Sequence, residues 1–111
     1  MYVENVKSQM RKGMLEYCIL LLLMEKPLYT SDIINELEKA NLIVVEGTLY
    51  PLLSRLRKEG ILDYEWQEST SGPPRKYYRL TDAGKTALVI LNENWNNLNE
   101  TITQIKSTEK K

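Results

Sequence analysis

The sequence predicts a mostly α-helical fold with a small β-hairpin: a winged helix-turn-helix followed by a C-terminal dimerisation helix. Three observations predict it: helical apolar spacing in three early segments, an aromatic strand pair between residues 61 and 80, and a late segment whose apolar residues recur every three or four positions.

Met10 to Met24 combines strong helix formers with a wide apolar surface, and Pro27 marks its break. The second helix is expected to open at Thr30-Ser31-Asp32, whose hydroxyls suit an N-cap, with Ile33, Ile34 and Leu37 at helical spacing before Asn41. The third spans Glu46 to Gly60, where Leu49, Leu52, Leu53 and Leu56 form one stripe and Gly60 suits the left-handed position after a helix. Pro51 fits if that helix opens near Glu46, so that its missing amide falls close to the first turn.

Leu62, Tyr64 and Trp66 alternate with polar residues in the period of a half-buried strand, and Arg75 to Leu80 supplies aromatic partners. Glu68 to Pro74 between them is turn-rich, which predicts a hairpin. Thr81-Asp82 caps a last helix in which Leu88, Leu91, Trp95, Leu98, Ile102 and Ile105 are separated by three or four residues. So narrow a seam suits self-association better than burial in a small globule. The chain divides into a winged helix-turn-helix domain at residues 1–80 and a dimerisation helix and tail at 81–111.

Composition bounds the chemistry. With 111 residues the chain holds one modest core and no separate ligand-binding domain. It has no histidine and one cysteine, Cys18, inside an apolar run. That excludes an intrachain disulfide and an imidazole-based triad, and leaves no residues for a zinc site. The expectation is a non-enzyme without cofactor or metal. The run Tyr17–Met24 is too short to span a bilayer, and no small-residue cleavage site follows it, so a cytoplasmic protein without membrane contact is expected.

Net charge is +0, so any affinity for nucleic acid has to come from the distribution of charge. On a helical wheel the leucine stripe of the third helix faces away from Gly47, Pro51, Ser54 and Lys58. Thr48 and Arg55 form one shoulder, Tyr50 and Arg57 the other. Between Gly47 and Lys58 there are three cations and no carboxylate, as a helix approaching phosphate requires. Arg75, Lys76 and Arg79, with Ser71-Gly72 at the tip, make a second basic element in the hairpin. Thr48, Tyr50, Ser54, Arg55, Arg57, Lys58, Gly72, Arg75 and Lys76 are the expected contacts to double-stranded DNA, with Arg55 the first choice for a base edge. Leu88, Leu91, Trp95, Leu98 and Ile102 are the expected dimer contacts.

Gly47-Thr48-Leu49-Tyr50-Pro51-Leu52-Leu53, running into Arg55-Leu56-Arg57-Lys58-Glu59-Gly60, and the block Arg75-Lys76-Tyr77-Tyr78-Arg79-Leu80-Thr81 resemble the PadR transcriptional regulators. The similarity reaches back through Lys12 to Glu16. It implies a homodimer built by the first and last helices, repression of nearby genes, and release by a small molecule. The short last helix resembles the compact, multidrug-sensing members, in which a tryptophan from each subunit sandwiches flat aromatic drugs, and Trp95 occupies the matching position. The resemblance therefore implies a planar aromatic effector near Met14, Leu91 and Trp95, although packing across the dimer is the simpler account of Trp95. The chain departs from the family at Tyr29-Thr30-Ser31-Asp32-Ile33, where a glycine and a second tyrosine are more usual. A protein-interaction adaptor without DNA binding is the alternative, which the neutral composition permits.

Overall fold

The computed structural model describes residues 1–109. Its elements in chain order are α1 (Tyr2–Glu25), β1 (Leu28–Tyr29), α2 (Thr30–Lys39), α3 (Glu46–Lys58), β2 (Leu62–Ser69), β3 (Gly72–Leu80) and α4 (Asp82–Glu109). The last two residues of the expected C-terminal tail, 110 and 111, lie outside the described residues.

Apolar spacing decides which faces are buried. Ile19, Leu20 and Leu23 of α1, Ile33 and Leu37 of α2, and Leu49, Leu53 and Leu56 of α3 meet in one core, closed by Leu62, Tyr78 and Leu80 of the sheet. Burying such side chains contributes roughly 1.5–3 kcal/mol each. Arg11 of α1 donates to the carbonyl of Ile43, tying the loop before α3 to α1.

Both helix ends around α3 are set by left-handed residues. Gly60, at φ +79°, follows α3, with its N–H on Arg57 O and the Ile61 N–H on Leu56 O. Asn41, at φ +67°, does the same for α2, with hydrogen bonds to Glu38 O and from Leu42 N to Leu37 O. Each pair of bonds closes a Schellman motif and satisfies carbonyls that a helix end leaves free.

Thr81 joins the wing to α4. Its hydroxyl accepts from the Gly84 N–H at 3.0 Å and lies 2.6 Å from Gly60 O, while its own N–H bonds Ile61 O. The expected cap at Thr81 is thus present, and it also fixes the angle between α3's end and α4's start.

Several elements differ from the sequence expectation. α1 begins at Tyr2, since nothing between Tyr2 and Gln9 breaks a helix and most of that stretch is exposed. The residue flanking α2 is Tyr29 rather than one of the hydroxyl residues. Thr30 is already helical and buried, and Asp32 accepts from the Tyr29 N–H. By contrast, α3 opens at Glu46 as expected, so Pro51 falls early, in its second turn, where the helix lacks the bond to the Gly47 carbonyl.

The sheet has three strands in the order β1-β3-β2, all antiparallel. β1 has two residues, too few to show a strand period. The hairpin tip is shorter than expected: Pro73 and Pro74 lie within β3, opposite a register shift between Gln67 and Ser69. A bulge with an unpaired outer edge is where a strand tolerates proline.

Candidate nucleic-acid interface

α3 presents Gly47, Pro51, Ser54 and Lys58 to solvent, as the helical wheel predicts, with Thr48 exposed on its shoulder and Leu49, Leu53 and Leu56 buried behind them. Its 13 residues extend about 20 Å at 1.5 Å per residue, a length that fits along a major groove. Tyr50 is 47% exposed on the same helix.

Strand alternation fixes the wing. Registers Tyr64↔Tyr78 and Trp66↔Lys76 place those four residues on the face toward α3. The Lys76 ammonium lies 4.5 Å from the centroid of Tyr64 and 5.4 Å from that of Trp66. The Arg57 guanidinium of α3 lies 4.6 Å from the same Tyr64 ring. One ring therefore carries a cation from the helix and a cation from the wing. Attraction to the ring holds each charge in place, and two like charges about one ring favour an anion beside them.

The remaining wing cations part company. Alternation sends Arg75 and Arg79 to the outer face, opposite Lys76. Arg75 stacks 4.8 Å from the Tyr29 centroid, and Tyr29 in turn packs on Tyr77 at 6.0 Å. Arg79 pairs with Asp63 at 3.6 Å and Glu65 at 3.4 Å, which removes it from the expected basic patch. Among the described residues Arg57, Lys58, Arg75 and Lys76 have no carboxylate partner. Gly72 is exposed at the tip, paired with Ser69.

Arg55 is held on the other shoulder. Its guanidinium donates to Glu16 of α1 and to Glu59 one turn on, at 3.2 Å, and these bonds, Glu16 first, push its pKa above the ordinary arginine value. The residue expected to reach a base edge is thus engaged in joining α3 to α1.

The expected dimer seam divides. Leu88 is 3% exposed and belongs to the chain's own core, because the first turns of α4 pack beneath the wing; it is not free for a partner. Leu91 is half-buried, while Trp95, Leu98, Ile102 and Ile105 are exposed along the rest of α4. Met14, Leu91 and Trp95, the expected effector residues, line one cleft of about 380 Å³ between α1 and α4. Tyr17 packs on Trp95 with ring centroids 6.5 Å apart and bonds Asn92 through its hydroxyl.

The aromatic partners Tyr29, Tyr64 and Trp66 and the carboxylate Glu16 were not among the expected site residues. The two-residue alternation that predicts the strands also aligns Tyr64 and Trp66 with Lys76. No pattern in the sequence pairs Glu16 with Arg55. Among the described residues no helix is long and apolar enough to cross a membrane.

Comparison with known proteins agrees with this architecture. Residues 19–89 match the model of the transcriptional regulator PadR-like family. An uncharacterised protein of Lysinibacillus sphaericus is 33% identical over 100 residues, covering 87% of this chain and 92% of its own. Transcriptional regulator Rv3488 of Mycobacterium tuberculosis is 44% identical over 54 residues, 49% of this chain and 50% of its own. Among solved structures, a PadR-like transcription factor from Bacteroides fragilis is 64% identical, with a TM-score of 0.80 over 91% of this chain and 98% of that one. A PadR-like transcriptional regulator from Bacillus cereus is 36% identical, with a TM-score of 0.79 over 87% of this chain and 95% of that one.

Proposed function

We propose that this chain, which belongs to the PadR-like family of transcriptional regulators, binds operator DNA as a homodimer in the cytoplasm, represses nearby genes and releases DNA when a small molecule binds between its subunits. The observation that carries the reading is the shared Tyr64 ring, which keeps Arg57 of α3 and Lys76 of the wing on one side of the molecule.

In this reading two copies of α3 enter successive major grooves about 34 Å apart. Lys58, Arg75 and Lys76 neutralise phosphates, and Arg57 serves a phosphate or a base. Thr48, Tyr50 and Ser54 supply positioning hydrogen bonds. Gly72 lets the wing tip approach the backbone. Arg55 acts as a positioning residue that docks α3 on α1 through Glu16. Residues 1–80 form the DNA-binding unit and 81–111 the association unit, with Leu91, Trp95, Leu98 and Ile102 across the twofold axis. No part of this requires catalysis.

The α1–α4 cleft supports the effector part. Its lining of Met14, Leu91 and Trp95 with Tyr17 is apolar and aromatic, which suits a planar aromatic compound. Binding there would shift the spacing of the two α3 helices by favouring one dimer geometry over another.

Footprinting on DNA upstream of the protein's own coding sequence tests the reading. The expected result is protection of a palindrome, relieved by a planar aromatic ligand. A protein that protects no site fits an adaptor instead.

A further inference from the structure

We infer that α1 is a third DNA-contacting element, and that Lys12 binds a backbone phosphate on the side of α3 opposite the wing. This rests on the DNA-binding reading above. The two shoulders of α3 have different neighbours. Tyr50 and Arg57 look toward the wing, where Lys76 lies over Tyr64. Thr48 and Arg55 look toward α1, where Lys12 lines a crevice together with Thr48, Pro51 and Arg55.

Three features leave Lys12 available there. Its neighbours' charges are occupied: Arg11 donates to the Ile43 carbonyl, and Glu16, one turn on, is taken by Arg55. Lys12 itself is exposed, and among the described residues no carboxylate pairs with it. Gly13 beside it adds no side chain, and a Cβ there would meet nothing within 4 Å, so the crevice stays open toward Pro51 on the outward face of α3.

A lysine is a compact point charge on a flexible stem, suited to phosphate rather than to planar recognition of a base. With Lys76 on one flank of α3 and Lys12 on the other, the helix lies between two cations, an arrangement matched to a groove bounded by two phosphate strands.

The test is the salt dependence of operator affinity for Lys12→Gln, with Lys7→Gln and Lys58→Gln beside it. Lys7 is exposed on the same helix but about 140° around it, so it does not face α3. Lys12→Gln is expected to melt like the parent and to reduce the magnitude of the log–log salt slope by about 1.8 for a dimer, at about 0.9 per phosphate. It should weaken operator variants uniformly, and Lys12→Arg should restore the parent slope, while Lys7→Gln leaves it unchanged. An unchanged slope for Lys12→Gln alongside a reduced one for Lys58→Gln overturns the α1 contact and leaves the DNA reading standing. A parent protein with no salt dependence overturns both.

Discussion

Glu16 of α1 and Arg55 of α3 form an ion pair across 39 positions of sequence, and Arg55 also donates to Glu59 on its own helix. Arg55 therefore works inside the protein before any DNA arrives. If it positions α3, Glu16→Gln and Arg55→Ala should weaken operator binding alike, with the ranking of operator variants kept. If instead Arg55 reads a base, Arg55→Ala should relax discrimination at one base pair by about 1–3 kcal/mol and Glu16→Gln should not. Affinities for a panel of single-base operator variants separate the two.

Gly47 lies in the first turn of α3, where a Cβ would meet nothing within 4 Å. Its place is not explained by packing. Gly47→Ala should leave thermal stability equal or raise it by about 0.5 kcal/mol, from helix propensity. The same change should lower operator affinity severalfold if DNA backbone approaches that turn closely. Unchanged affinity would remove Gly47 from the interface.

Gly84 is the opposite case. A Cβ there would lie 2.2 Å from the carbonyl oxygen of Ile61, a backbone atom that cannot swing aside. Gly84→Ala should destabilise the fold by about 1–3 kcal/mol, measured by denaturant unfolding. The helix start would have to move away from the β2 junction that Thr81 ties down.

The divided seam predicts two phenotypes. Leu88→Ala should cost about 2–5 kcal/mol of stability, because it opens a cavity in the chain's own core. Leu98→Asp with Ile102→Asp should leave the fold intact and convert the protein to monomer in sedimentation velocity, since both side chains are exposed within one chain. A dimer that survives the double change would place the interface elsewhere.

Burial pushes the Cys18 thiol above its ordinary value of 9.0. Well below pH 9 the thiol is protonated in both states and its contribution to stability is complete. As pH rises further the unfolded thiol ionises first, and that contribution is lost through the folded value. Tyr78 moves in the same direction, by burial and then by Tyr50 and Tyr64, against Arg57. Stability should fall as pH rises through 9, less steeply in Cys18→Ala, and the folded thiol should react more slowly with a disulfide reagent than the unfolded one.

Much of this architecture is legible in the residues themselves. The leucine stripe of α3, the left-handed Gly60 and the Thr81 cap are local signals, and each is where spacing and propensity put it. Features that depend on long-range pairing are not legible in the same way. β1 is too short to carry a period and is a strand only because Tyr77 and Tyr78 lie beside it. Leu88 has the spacing of the seam, yet wing and core reach it first. Arg75 and Lys76 are adjacent in sequence but opposite in direction, a consequence of alternation that a count of basic residues hides. Tyr64, which gathers two cations, is indistinguishable in sequence from an ordinary strand aromatic.

The most direct test of the central claim is operator affinity of the intact protein measured from low to high salt. In the proposed dimer, a face built from Arg57, Lys58 and Lys76 with Arg75 at its wing would be present twice and would neutralise at least six phosphates. The log–log slope should then be about −5 or steeper. A slope near zero, with no preference for the upstream fragment, would contradict the account.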